Sequence, residues 1–258
     1  MYFVYLIGTA GSGKTSMTKT FGDWIEDHEM SVCRVNLDPA VEVLPYPADV
    51  DVREYVNYKE ILEEGLGPNG ALIKSVDMML IHADKLRAEI EATESNYVLV
   101  DTPGQLELFA FRRSTLELFR RITRNDKAVI LYLIDPSLFV VEGNVDPYSF
   151  VSALLLGVSI RARMRVPTIF VISKSDLLSD DIINIIEMWL DDLSSLAMTV
   201  SEVEVLPRLV EAIGETGLGD VLFASALSEE GLDNIYAAVQ RALAGGEDYA
   251  TEEPSARL

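Results

Sequence analysis

Short apolar runs punctuate the chain, and each is followed by a longer segment whose apolar residues recur at helical spacing. The runs cover residues 2–7, 32–37, 97–100, 128–134, 168–172 and 221–224. None alternates cleanly between apolar and polar positions, so each predicts a strand covered on both faces, as in a parallel sheet. Parallel neighbours need right-handed crossovers, which the intervening helical segments supply. The alternation over the whole length predicts an α/β, doubly wound fold with a mostly parallel sheet. No internal repeat is visible.

Two stretches depart from this rhythm. Residues 51–95 form a long, mostly helical insertion between the second and third strands, broken by Gly65-Leu66-Gly67-Pro68-Asn69-Gly70. Its glycines at 65, 67 and 70 make it a candidate hinge. From Ala244 onward the chain is rich in Gly, Glu, Ser and Ala, with little apolar surface to offset its ordering entropy. Residues 1–243 are therefore expected to form one domain and 244–258 a disordered tail. Within the insertion, Met78, Met79, Leu80, Ile81 and Leu86 read as an ordinary packed helix face rather than a partner-binding one.

Composition narrows the picture. Of 258 residues, 49% are hydrophobic, enough for a sizeable core, while the net charge of −21 excludes a general affinity for nucleic acids or acidic membranes. The single cysteine, Cys33, lies in an apolar run and reads as a buried strand residue. A chain with no disulfide framework suits a reducing compartment. With no signal-peptide pattern and no apolar stretch of about twenty residues, the protein is expected to be soluble and cytoplasmic. The acidic pairs Asp180-Asp181, Asp191-Asp192 and Glu252-Glu253 read as solvated helix starts and faces rather than metal sites.

Candidate chemistry begins directly after the first run. Gly8-Thr9-Ala10-Gly11-Ser12-Gly13-Lys14-Thr15 matches the G-x-x-x-x-G-K-[ST] pattern and leads through Ser16 into a helical segment. Gly8, Gly11 and Gly13 let the backbone fold so that N–H groups, including those of Ser12 and Ser16, point at phosphates, and the helix N-terminus adds positive potential. Lys14 is expected to reach the β- and γ-phosphates and Thr15 to bind Mg²⁺. At average glycine usage the four fixed positions match by chance about once in a hundred chains of this length, and the strand before and helix after make the match more specific. The fold expected is thus a P-loop NTPase domain carrying a helical insertion.

Three further motifs follow in order. Asp101-Thr102-Pro103-Gly104-Gln105 places an acid at a strand end, where Asp101 is expected to hold Mg²⁺ and Gly104 to bring a backbone N–H to the γ-phosphate, with Gln105 placed to orient an attacking water. Ser173-Lys174-Ser175-Asp176 resembles the guanine-reading N-K-x-D motif. One carboxylate, Asp176, accepts both the N1–H and N2 amine of guanine, which adenine does not offer, and the Lys174 stem lies along the base. Ser173 replaces the usual Asn, which puts in doubt the link from that position to the phosphate loop. Ser225-Ala226-Leu227 resembles the S-A-[KL] loop, whose backbone N–H, here that of Ala226, donates to guanine O6.

Asn36-Leu37-Asp38-Pro39-Ala40, Gly67-Pro68-Asn69 and Asp101-Thr102-Pro103-Gly104-Gln105-Leu106-Glu107 together resemble a GPN-loop GTPase, over almost the whole chain and with every motif in order. The chain is short and lacks a long acidic C-terminal extension, which is similar to archaeal members. The resemblance implies a homodimer with nucleotide sites facing the interface, in which Asn69 of one protomer reaches the γ-phosphate of the other, in the place of an arginine finger. It further implies that Asp38 sits near Mg²⁺ and the attacking water, and that Gln105 and Glu107 position or deprotonate that water. Substrate and product would be GTP and GDP. The implied role is a switch for a protein client, in eukaryotes the assembly or transport of RNA polymerase. Arg34, Arg53, Arg112 and Arg113 read as surface salt-bridge residues. Competing readings are a dimeric ATPase, a GTP-binding module without turnover, and a small-molecule kinase, for which no arginine-rich lid is visible.

Overall fold

The computed structural model describes residues 1–244, apart from the side chains of Glu107, Leu108, Thr216 and Ala244. Its strands are β1 (Tyr2–Gly8), β2 (Val32–Asn36), β3 (Val50–Asp51), β4 (Tyr97–Asp101), β5 (Lys127–Ile134), β6 (Val140–Val141), β7 (Asn144–Val145), β8 (Thr168–Ile172) and β9 (Val221–Phe223). Seven of them form one sheet in the order β3-β2-β4-β1-β5-β8-β9, and every pairing in it is parallel. The doubly wound expectation holds.

The helices are α1 (Lys14–Asp27), α2 (Tyr58–Ile61), α3 (Gly67–Met79), α4 (Ala83–Ala92), α5 (Leu106–Phe111), α6 (Arg113–Thr123), α7 (Pro147–Met164), α8 (Asp180–Asp191), α9 (Leu193–Thr199), α10 (Leu206–Thr216) and α11 (Leu232–Ala244). Side chains of a strand alternate between its faces, so β1 feeds two cores. Val4 and Leu6 join Met17, Phe21 and Ile25 of α1 and Ile235 and Val239 of α11 on one face. Phe3, Tyr5 and Ile7 join Val76, Leu86, Leu118 and Phe150 of α3, α4, α6 and α7 on the other. Cys33 is fully buried in β2, as its run predicted, and burial pushes its thiol up to about 12.

Three short strands, β3, β6 and β7, and one helical group were not legible. β3 pairs with β2 at the sheet edge, β6 and β7 form a separate antiparallel hairpin, and β9 is shorter than its apolar run. Two-residue strands carry no periodicity to read. Between β8 and β9 the chain inserts three helices, α8 to α10, so a third stretch departs from the strand–helix rhythm.

The 51–95 insertion is helical beyond β3. Gly65 (φ 84°) and Gly67 (φ 68°) take the left-handed conformation that glycine adopts without a Cβ clash, and Pro68 opens α3 in its first turn. Met79 and Leu86 are buried and Met78 and Leu80 half-buried, matching the packed-face reading, whereas Ile81 is 77% exposed. The acidic pair at 180–181 lies exposed in the first turn of α8. Among the described residues, no helix is long and apolar enough to cross a membrane. The expected tail lies, beyond Ala244 at the end of α11, outside the described residues.

Candidate active site

The loop between β1 and α1 is shaped by its glycines. Gly11 and Gly13 have φ of 79° and 88°, and a Cβ on Gly8 would stand 2.5 Å from Ser12 Oγ and 2.6 Å from the Leu133 carbonyl. Gly13 precedes α1 without a side-chain cap, which leaves the first helical N–H groups facing the loop. Lys14 is folded onto this loop, its Nζ donating to the carbonyls of Gly8 at 3.0 Å and Thr9 at 2.9 Å. Burial pushes its ammonium below the ordinary lysine value, against the opposing pull of Asp101 and Asp38.

Asp101 ends β4, directly beside Leu6 of β1 and Asn36 of β2. Burial pushes its carboxyl up to about 6; the hydroxyls of Thr15 and Tyr46 and the Lys14 ammonium act in the other direction, and Asp38 raises it further. Its Oδ2 accepts from Tyr46 Oη at 3.1 Å, while Oδ1 is buried without a partner. Thr9 Oγ1 and Ser12 Oγ are buried and unpartnered as well. Three of the four such atoms among the described residues thus belong to this one site, and buried polar groups are rarely left so unless a ligand satisfies them.

That arrangement fits Mg²⁺ with a nucleotide. No group of three or more His, Cys, Asp or Glu forms a metal cage among the described residues, and Mg²⁺ asks for none, because it takes one or two carboxylates with phosphate oxygens and water. Thr15 and Asp101 are the side chains there that could hold such an ion.

The loop after Asp101 is pinned to the phosphate loop. Thr102 Oγ1 donates to the Leu6 carbonyl at 2.6 Å, and Gly104 lies so near that a Cβ there would be 3.3 Å from Ala10 Cα. Gln105 precedes α5 with its side chain not engaged in capping. Asp38 is half-exposed; its N–H donates to Asn36 Oδ1 at 3.0 Å and its Oδ1 accepts from Ala40 N–H at 2.9 Å. The structure therefore brings Lys14, Thr15, Asp38, Asp101 and Gly104 together. Asn69 does not join them: it is exposed at the start of α3, and its side chain makes no hydrogen bond among the described residues. The Glu107 side chain lies outside the described residues.

A cavity of about 500 Å³ opens beside the loop, lined among others by Gly13, Thr20, Pro45, Lys174, Asp176 and Ala226. Lys174 has a left-handed backbone (φ 54°), and its Nζ bonds Asp135 Oδ2 at 2.7 Å. The exposed Asp176 carboxylate accepts a hydrogen bond from Ser225 Oγ. Ala226 receives Thr20 Oγ1 on its carbonyl at 3.0 Å, and its own N–H has no acceptor among the described residues. Ser173 donates from Oγ to the Ile134 carbonyl at 3.1 Å, inside the sheet. The link that an Asn would make to the phosphate loop is thus absent at Ser173.

Sequence reasoning missed Tyr46, Pro45 and Asp135, and placed Ser225 in the S-A-[KL] motif without its bond to Asp176. Asp135 carried the same signal as Asp101, an acid closing an apolar run; Tyr46 sits in an irregular loop with none. One reading is corrected. Arg34 is not a surface residue but 5% exposed, its guanidinium under α1 paired with Asp23 at 2.7 Å and Glu26 at 2.8 Å. Arg53 pairs with Asp51 and Arg112 with Asp77, while Arg113 is exposed.

A family model described as "Conserved hypothetical ATP binding protein" matches residues 6–245. A GPN-loop GTPase of Pyrococcus abyssi is 38% identical over 180 residues, which cover 69% of this chain and 69% of that protein. The chain belongs to the GPN-loop GTPases. GPN-loop GTPase 3 of Dictyostelium discoideum is 30% identical to this GPN-loop GTPase over 96% of the chain and 89% of its own length. Against GPN-loop GTPase 1 of Saccharomyces cerevisiae the match is 29% identical and spans 57% of that longer protein. The crystal structure of a P. abyssi GTPase in apo form superposes with a TM-score of 0.83 at 30% identity, covering 93% of this chain and 97% of that one. Members of the family so named are hydrolases acting on GTP, and this is the class of chemistry the chain carries.

Proposed function

We propose that this GPN-loop GTPase hydrolyses GTP in the presence of Mg²⁺ as a homodimer, Asn69 of each protomer completing the site of its partner. The observation that carries the choice of base is the cavity joining Gly13 of the phosphate loop to Asp176 and Ala226. A carboxylate there would accept the two donors of guanine, and the unengaged Ala226 N–H would donate to a carbonyl acceptor such as O6. Adenine offers neither match. The family model's description names ATP, but this donor–acceptor set favours guanine.

Mg²⁺, held by Thr15 and Asp101, would neutralise phosphate charge. The loop N–H groups and Lys14 would bind the β- and γ-phosphates, Lys14 exchanging its two loop carbonyls for phosphate oxygens. Gly104 would bring its N–H to the γ-phosphate, with Gln105 and Asp38 orienting water and Glu107 assigned to the same task. Phosphoryl transfer rests mainly on such positioning and charge stabilisation. Asn69 supports the dimer reading because it is exposed and its side chain has no hydrogen bond among the described residues, available to a second copy. The nucleotide cycle would act as a switch on a protein client in the cytoplasm, with no direct nucleic-acid or membrane partner, in keeping with a net charge of −21.

Phosphate release from GTP and from ATP, measured across protein concentration for wild type and Asn69→Ala, tests this. The expected result is GTP turnover per subunit that rises with concentration and drops in the variant. Preference for ATP overturns the base assignment. GTP turnover indifferent to both concentration and Asn69 overturns the dimer mechanism.

A further inference from the structure

The segment between β2 and β3, residues 37–49, has no regular structure apart from turns, yet it is tied down at both ends. Arg53 donates through NH1 to the carbonyls of Val41 at 3.1 Å and Glu42 at 3.3 Å, while its Nε and NH2 grip Asp51. Asn36 Nδ2 reaches the same Asp51 at 2.8 Å. At the far end Asp49 exchanges backbone bonds with Arg34, donating to its carbonyl at 2.9 Å, and its carboxylate accepts the Arg34 N–H at 2.7 Å. Between these anchors the segment turns inward. Pro45 lines the nucleoside cavity, and Tyr46 is 5% exposed with its hydroxyl on Asp101.

We propose that Tyr46 is a positioning residue for the metal: its hydroxyl holds Asp101 Oδ2, so that the unpartnered Oδ1 is presented to Mg²⁺. The proposal rests on the Mg²⁺ reading above and assigns that site a supporting group. Its geometry is asymmetric in the required way. One carboxylate oxygen is satisfied by the Tyr46 phenol, and the other is buried without a hydrogen-bond partner. A carboxylate fixed at one oxygen loses the freedom to rotate its lone pairs away from a metal, which is why hydrogen-bonded partners of metal ligands govern affinity. Because the adjacent residue, Pro45, touches the nucleoside cavity, the same segment lies against both the base-side cavity and the acid of the metal site.

The test compares wild type, Tyr46→Phe and Asp101→Asn. Phenylalanine keeps the buried ring and removes only the hydroxyl. Binding of a fluorescent GDP analogue is titrated with Mg²⁺, alongside binding of the same analogue in excess chelator and melting without ligands. Tyr46→Phe is expected to raise the Mg²⁺ concentration for half-maximal effect about tenfold, with chelator affinity and melting close to wild type. A merely structural role would lower all three together, and that result overturns the proposal, as does an unchanged or tighter Mg²⁺ response. If wild type itself shows no Mg²⁺ dependence, or Asp101→Asn retains it, the metal reading falls and the role of Tyr46 with it.

Discussion

Ser225 donates its hydroxyl proton to the carboxylate of Asp176, a residue 49 positions earlier in the chain. The Ser225 oxygen in turn accepts the backbone N–H groups of Leu227 and Ser228, both at 3.1 Å. The loop after β9 thereby fixes the orientation of the acid presented by the loop after β8, and Ala226 lies between these contacts.

Substitution of Asp176 should therefore change which base is preferred rather than simply weaken binding. Xanthine keeps the N1–H donor but offers a carbonyl where guanine has an amine. Asp176→Asn provides one acceptor and one donor, matching xanthine. The expected outcome is a loss of GTP affinity of about 100-fold or more, from two charge-assisted bonds worth roughly 1.5–3 kcal/mol each, with a gain for XTP. Competition binding reads both; retained GTP preference would disprove the assignment.

Lys14 is kept for its ligand at the expense of the empty fold. Its depressed ammonium value means that folding disfavours the charged form, so below the unfolded lysine range it subtracts from stability. Lys14→Met should lose nucleotide affinity by about 100-fold or more, as a charge-assisted phosphate contact disappears. Melting without nucleotide should hold or rise. A drop of more than about 4 °C, roughly 1–2 kcal/mol at this size, would show instead that the two carbonyl bonds stabilise the empty loop.

The Asp135–Lys174 pair predicts a pH signature. Burial alone would raise the Asp135 carboxyl, but Lys174 Nζ at 2.7 Å and the Ser137 N–H at 2.9 Å hold it below its ordinary value. A depressed carboxyl stabilises the fold above the unfolded pKa, about 4, and that stability is lost as pH falls through the folded value. With Lys174 partly solvated, Asp135→Asn should lower melting at pH 7 by about 2–4 °C, for roughly 1 kcal/mol. The gap from wild type should narrow below about pH 4; a gap that stays constant in acid would refute the charge argument.

Gly157 of α7 lies directly against two aromatic rings of the sheet. A Cβ there would fall 2.2 Å from Phe170 Cε1 and 2.6 Å from Tyr132 Cδ1, both rings fully buried. Gly157→Ala is expected to destabilise by about 1–3 kcal/mol through overpacking, seen in denaturant unfolding. The ratio of GTP to ATP binding should not move, since α7 lines no part of the base cavity.

The contrast between what could and could not be read follows from range. Gly8 to Thr15 is local chemistry: its glycines serve a turn built within the same eight residues. The strands 2–8 and 168–172 announce themselves because both faces are covered. Tyr46 was invisible because its partner, Asp101, lies 55 positions away and nothing around Pro45 is periodic. Arg34 was misread because a charge in a strand ordinarily marks a wet face. Its guanidinium fits under α1 only because residue 22 is glycine: a Cβ there would stand 2.6 Å from Arg34 Nε. The helices α8 to α10 depart from a rhythm that, read one run at a time, gives no sign of how long a crossover is.

The burial of Cys33 has a practical consequence. The chain has a single cysteine, it is fully buried, and its thiol is pushed up to about 12, so a maleimide dye added at neutral pH should find the native protein blank. A cysteine introduced at Leu227, 84% exposed at the mouth of the cavity, or at Ile81, 77% exposed in the turn after α3, would then carry the label alone. Labelled at both positions with a donor and acceptor, the protein becomes its own ruler. Distances between the base-reading loop and the Gly-Pro-Asn insertion could be followed in solution, nucleotide by nucleotide, without removing a native residue from the core.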